Sequence, residues 1–229
     1  VMHFNINNLE LIKWILEECN RLNVPVILGC SESAVKYMGG YDVVYSIVTS
    51  LIKDLDIQID VTLHLDHGHS VESCTKAIDA GFTSVMIDAS LEEFDQNVLI
   101  TKEVAKYAHS KNVMVEAEIG IMGQLNNDNV NFGSTTSVSD VIEFVKQNEV
   151  DLTVVTSPIL IVNGIANAFE QNGLTIFAPN RDSAIVTYFN AAAKKTMYKL
   201  KIPTTRFAVF DKLPNAFVIK TNHGCKWQY

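Results

Sequence analysis

Val61–Gly68 reads VTLHLDHG. Apolar and polar residues alternate along it, as they do along a strand with one face packed, and its end carries His64, Asp66 and His67. Working outward, the same form recurs. Upstream, Phe4–Asn8 (FNINN) is short and extended, Leu9–Leu22 places Leu9, Ile12, Ile15, Leu16 and Cys19 at helical spacing, and Pro25–Ser31 (PVILGCS) is an apolar run ending in small residues. A helical stretch follows over Tyr41–Leu55. Downstream, the spacing predicts a helix over Val71–Ala80, a strand over Ser84–Ser90 (SVMIDAS), a helix over Asn97–Ser110 and a strand over Val113–Gly120 (VMVEAEIG).

Five strand–helix steps with short connections predict an α/β fold with parallel strands and right-handed crossovers. An open doubly wound sheet would give a similar pattern. A TIM-barrel origin is favoured by where the polar groups fall. Asn5 and Asn7 lie in the first strand and Ser31 closes the second. His64, Asp66 and His67 close the third, Asp88 the fourth, and Glu116 and Glu118 the fifth. Barrel active sites are assembled from several strands at this same end. Carboxylates facing a barrel interior are costly unless paired or bound to a cation, and a His with Asp and Glu partners suits zinc or a similar divalent ion.

Composition bounds the rest. A hydrophobic fraction of 48% and a charged fraction of 19% describe an ordinary globular chain with no transmembrane run. Cys19, Cys30, Cys74 and Cys225 form no C-x-x-C pair, so reduced thiols are expected. The N-terminus shows no export signal, and a cytoplasmic setting is expected. Residues 1–135 hold 8 Lys and Arg against 19 Asp and Glu, whereas 136–229 hold 10 against 7. This asymmetry points to two origins rather than to nucleic-acid binding, since no basic stripe is interleaved with aromatics. Lys194, Lys195, Lys199 and Lys201 have the spacing of a solvated helix face.

Residues 2–123 resemble the class II, metal-dependent fructose-bisphosphate aldolases. The likeness runs through FNINN, Pro25–Asp42 (PVILGCSESAVKYMGGYD), His64–Cys74 (HLDHGHSVESC), Lys76–Ser90 (KAIDAGFTSVMIDAS), Asn97–His109 (NVLITKEVAKYAH) and Val115–Gly120 (VEAEIG). It implies a TIM barrel that cleaves a ketose bisphosphate, so the expected small-molecule partner is a phosphorylated sugar. It further implies that Asp66 shuttles a proton on the C4 hydroxyl and that His67 is a zinc ligand. Asp88 and Glu118 belong to a second cation site or its surroundings, and Asn5 and Ser31 to substrate contact; His64 and His69 are possible helpers at the metal. The family also uses two further His and glycine-rich phosphate loops, and no motif for them occurs after Gly123. Its Gly-Gly-Gln-Glu segment reads here Gly123, Gln124, Leu125, Asn126, and its Ser-His pair reads Ser90, Leu91.

Residues 138–220 resemble part of glycinamide ribonucleotide synthetase, through Val141–Val155, Val162–Asn180, Lys201–Phe207 and Ala216–Thr221. That resemblance places Lys220 at a nucleotide-contacting position. ATP is nonetheless not expected, because the family's Glu-Gly-Ser-Lys segment reads Thr187, Tyr188, Phe189, Asn190 and no glycine-rich flap follows. The expected organisation is a partial (β/α) barrel over 1–125, a polar linker over 126–139 and an α/β segment over 140–229, a chimera of two parents. Its aldolase site is incomplete, and the alternative is a catalytically inactive or structural α/β protein that at most binds a metal or phosphate weakly. Strands at Asp151–Val155, Thr175–Phe177 and Ala216–Lys220 would bring the total to eight and close a barrel. Left open, the barrel edges invite a homodimer.

Overall fold

The computed structural model describes residues 1–120 and 136–209, with the two-residue strand segments at Leu125–Asn126, Asn129–Val130, Ile219–Lys220 and Trp227–Gln228. The chain divides into two compact units, Val1–Thr135 and Thr136–Tyr229.

The first unit is built on a five-stranded parallel sheet. Its strands are β1 (Met2–Asn5), β2 (Val26–Ser31), β3 (Val61–Gly68), β4 (Ser84–Ile87) and β5 (Met114–Ala117), in that spatial order. The helices between them are α1 (Leu9–Leu22), α2 (Glu32–Met38), α3 (Tyr41–Asp54), α4 (Val71–Ala80) and α5 (Phe94–His109). Every strand lies beside its predecessor in sequence. A doubly wound sheet reverses direction at a switch point, and this one does not, so its topology is that of part of a TIM barrel.

Local chemistry explains the elements. Asn8 caps α1 by accepting from Leu11 N at 2.8 Å, and Asn23 ends it in the left-handed region at φ 53°. Ser70 and Ser73 form a reciprocal cap on α4, which Gly81 terminates at φ 106°. The core lies between sheet and helices and includes Ile12, Leu16, Leu28, Val44, Leu65, Phe82, Val85 and Val104. Gly68 allows the closest approach: a Cβ there would sit 2.8 Å from Cys74 Sγ and 2.9 Å from the Met86 carbonyl oxygen. Only glycine lets the end of β3 lie this tightly against α4 and β4.

Several expectations are corrected. The first strand runs Met2–Asn5 rather than Phe4–Asn8, because Asn8 is committed to capping α1. Helix α2 was not expected; Ser31 ends β2 as expected and is also the N-cap of α2, accepting from Ala34 N at 3.3 Å. Helix α5 starts at Phe94 rather than Asn97.

A short β6 (Leu125–Asn126) pairs antiparallel with β7 (Asn129–Val130). The second unit contains α6 (Val138–Gln147), β8 (Thr153–Val154), α7 (Pro158–Val162), α8 (Ile165–Gln171), β9 (Ile176–Phe177), α9 (Arg181–Tyr188) and α10 (Asn190–Lys199). Val141, Phe144, Val145, Ile165 and Phe169 are its buried centre. The eight-stranded expectation is not met: β8 and β9 pair parallel with each other in a two-stranded sheet of their own. Of the strand expected at Ala216–Lys220, 216–218 fall outside the described residues. The remainder, β10 (Ile219–Lys220), pairs antiparallel with β11 (Trp227–Gln228). Lys194 is not a free solvated cation, since its Nζ donates to Thr205 Oγ1 at 3.0 Å. Among the described residues no helix is long and apolar enough to cross a membrane.

Candidate active site and metal centre

Four of the expected residues meet at the C-terminal ends of β3, β4 and β5. Alternation would send consecutive residues to opposite faces, but the β3–β4 register shifts between Leu65 and Gly68, and His67 takes a left-handed backbone at φ 52°. A bulge re-aims a side chain in this way, and a non-glycine residue there carries strain of about 1–3 kcal/mol. The result brings His67 beside Asp66 and across to Asp88 and Glu118.

The contacts are specific. His67 Nδ1 donates to Asp88 Oδ2 at 2.8 Å and lies 3.9 Å from Glu118 Oε2, while His67 Nε2 lies 4.0 Å from Asp66 Oδ1. The other Asp88 oxygen accepts from the Ser90 hydroxyl at 2.6 Å and the Ser90 amide at 3.1 Å, and the Asp88 amide donates to the Gly68 carbonyl at 2.9 Å. Buried Asn97 donates to the Glu118 carbonyl at 2.9 Å and accepts from Thr101 Oγ1 at 3.1 Å, which anchors the segment after β5 to helix α5. Ser90, Asn97 and Thr101 were not singled out from the sequence. The Ser directly after the β4 carboxylate was the available signal for the first of them, and nothing marked the other two.

The electrostatics follow from this crowding. Burial alone would lower the His67 pKa, but the hydrogen bond to Asp88 and the charges of Asp66, Asp88 and Glu118 outweigh it and hold the imidazole above its ordinary value. Burial would raise Asp88, yet the Ser90 and His67 hydrogen bonds hold it below the usual range. Glu118 is raised, first by burial and then by the neighbouring Asp88, with His67 opposing.

His67, Asp88 and Glu118 each offer a donor atom, and those atoms all lie within 4.8 Å of one another. One imidazole and two carboxylates are a donor set that zinc and similar divalent ions accept, so the residues fit a metal. The remaining candidates fall elsewhere. Asn5 and Ser31 line a neighbouring cleft of about 370 Å³, with Asn7, Gly29, Ser33 and Tyr37. There Ser31 Oγ is shared with its capping duty and with Ser33 Oγ at 2.9 Å. His64 turns to Ser84 and not to this cluster. His69 presents its backbone N–H to Glu32 Oε1 at 2.8 Å, and its side chain is not among the groups brought together. Lys220 falls in β10, whose side chains are not described.

Comparison with known proteins supplies independent evidence. The family model for class II fructose-bisphosphate aldolase matches residues 1–157. The fructose-bisphosphate aldolase of Geobacillus stearothermophilus is 49% identical over 152 residues, 66% of this chain and 53% of that protein. That of Staphylococcus aureus (strain Mu50 / ATCC 700699) is 54% identical over 128 residues, 56% of this chain and 45% of that protein. The chain therefore spans about half the length of the curated relatives it matches. Among solved structures, the YdjI aldolase from Escherichia coli K12 superposes with TM-score 0.55 and 27% identity, covering 67% of this chain and 52% of that one. The fructose-bisphosphate aldolase from Campylobacter jejuni, at TM-score 0.57 and 20% identity over 74% of this chain and 59% of that one, shares the fold.

Proposed function

Because the chain belongs to the class II fructose-bisphosphate aldolase family, we propose that His67, Asp88 and Glu118 hold a zinc-class ion beside Asp66, as the proton-handling part of a site for aldol cleavage of a ketose bisphosphate. The observation that supports this is the convergence of those donor atoms from three strand ends onto one point next to a carboxylate. A bound divalent ion supplies Lewis-acid polarisation of a carbonyl, worth several kcal/mol.

The chain carries part of such a site, and in a completed one its groups would have the following roles. Asp66, partly buried, takes and returns a proton at the substrate's C4 hydroxyl. Without metal, Asp88 holds the His67 ring by accepting from Nδ1–H, a hydrogen bond that an ion ligated by both would replace, and Ser90 in turn fixes Asp88. Asn5 and Ser31 offer hydrogen bonds to a phosphorylated sugar from the adjoining cleft. Cys19, Cys30 and Cys74 are buried free thiols, which suits a cytoplasmic setting.

Zinc titration by equilibrium dialysis tests the metal centre. His67→Ala is expected to weaken the site on the order of 100-fold. The affinity of the parent chain should also fall as the pH drops through the raised His67 pKa, because a ligating imidazole must lose its proton. Zinc binding indifferent to His67→Ala would reject the assignment.

We further propose that 140–229 is a segment of other origin carrying no ATP site, joined to the aldolase-like part over 126–139. The division of the chain between Thr135 and Thr136 supports such a joint. The family match running on to residue 157 favours one further along. A homodimer is proposed as well, since in the five-stranded sheet β1 and β5 each have a neighbour on one side only. Sedimentation at high concentration is expected to show a dimer, and a clean monomer would count against it.

A further inference from the structure

A second group of donors lies on β1, β3 and β5, apart from the His67 cluster. His64 is 3% exposed, and its Nδ1 pairs with Ser84 Oγ at 2.8 Å. Its other ring nitrogen, Nε2, has no hydrogen-bond partner among the described residues. Buried nitrogens without partners are rare, and each calls for a physical cause. Nε2 faces Glu116 Oε2 at 3.7 Å, which is too long for a hydrogen bond. It is a few tenths of an ångström wider than two ligands on one tetrahedral ion, where bonds of about 2.0–2.1 Å put the donors roughly 3.3–3.4 Å apart, a gap the exposed Glu116 side chain can close. The ring of His3 stands edge-on to that of His64, with centroids 5.4 Å apart and planes at 83°; its Nε2 lies over Gly29, so this exposed ring has to turn to bring a nitrogen to the other two donors.

We propose that His64, Glu116 and His3 form a second divalent-cation site of nitrogen–nitrogen–oxygen type, suited to zinc. Ser84 plays the outer part: in the metal-binding tautomer Nδ1–H donates to its hydroxyl oxygen, which leaves the Nε2 lone pair free. Burial, aided by His3, keeps His64 neutral at ordinary pH, so no proton competes for that lone pair. Glu116 and Glu118, two positions apart, thus serve different sites. Glu116 Oε2 belongs with His64, and Glu118 Oε2 with His67. The proposal stands independently of the assignment made for the His67 cluster.

The test is zinc stoichiometry on the full 229-residue chain, by equilibrium dialysis against zinc ion alone with the metal counted by mass spectrometry. Two equivalents are expected, of which His67→Ala weakens one on the order of 100-fold, so that it is lost at zinc concentrations that fill the other. Glu116→Gln and His3→Ala, both at exposed residues, should each weaken the other equivalent by about 10-fold or more while leaving the circular dichroism spectrum unchanged. His64→Ala is avoided, because it would also open a hole in a buried position. Cobalt ion in the His67→Ala chain gives the second measurement: a tetrahedral visible absorption band is expected, diminished by Glu116→Gln. A single equivalent that disappears in His67→Ala would overturn the proposal. So would a second equivalent, or a cobalt band, unmoved by either substitution.

Discussion

The purified chain, loaded with zinc, is expected to release no measurable triose phosphate from fructose 1,6-bisphosphate, and Asp66→Ala to match it in that assay. The expectation follows from counting groups. A catalytic zinc takes three protein ligands and keeps a fourth position open. The sequence holds six histidines, His3, His64, His67, His69, His109 and His223, and only His67 meets Asp88 and Glu118 among the described residues. Carboxylates could stand in for the family's other two His as ligands, but not for the hydrogen-bonded supports those His bring with them. The larger deficit is orientation. The glycine-rich loops that hold the substrate phosphate in this family have no counterpart after Gly123. Holding a substrate in place accounts for roughly 7–11 kcal/mol of a barrier, about five to eight powers of ten in rate. The cleft at Asn5 and Ser31 offers neutral hydrogen-bonding groups and no cation to replace those loops. Cleavage that disappears with a chelator and with Asp66→Ala would overturn this.

Much of the first unit could be read from the sequence because local and tertiary signals agree there. Val61–Gly68 and Val71–Ala80 have the boundaries expected of them, since alternation defines the strand and Ser70 and Gly81 bracket the helix. The His67, Asp88 and Glu118 cluster was legible for a related reason: parallel strands stack their ends, so polar residues at matching ends are neighbours in space. What failed to show was register. Period two places His64 on a face but does not say which residue of β5, two strands away, it will meet, so its pairing with Glu116 had no signal. The bulge between Leu65 and Gly68 was equally hidden, because histidine takes a positive φ more often than most side chains but still in a small minority of cases. Helix α2 was missed because Ser31 served two interpretations, strand end and helix cap, and its hydroxyl performs the second. In the second unit the apolar runs are real, yet β8 and β9 keep only two paired residues each.

In the metal-free chain, acid should unfold the first unit through His64. The ring is 4% exposed at the side chain, and its pKa is pushed down to about 4 from the ordinary 6.5, first by burial and then by His3, with Asp66 opposing. The sign is fixed by which state binds the proton. Between pH 6.5 and about 4 the unfolded chain carries a protonated His64 and the folded chain does not, so stability falls with pH across that window and levels off below it. A depression of this size corresponds to about 3 kcal/mol, a large part of the 5–15 kcal/mol typical of a domain. Glu118 acts the other way: its raised pKa means the folded state takes up its proton first, which offsets some of the loss. His67, raised, is protonated in both states through this range and adds little slope. Urea unfolding at pH 7 and pH 4 should therefore show the parent losing more stability than His64→Asn. The asparagine retains a polar atom for the Ser84 hydroxyl and cannot titrate. Equal losses in the two proteins would show that His64 is not the group whose protonation drives the transition.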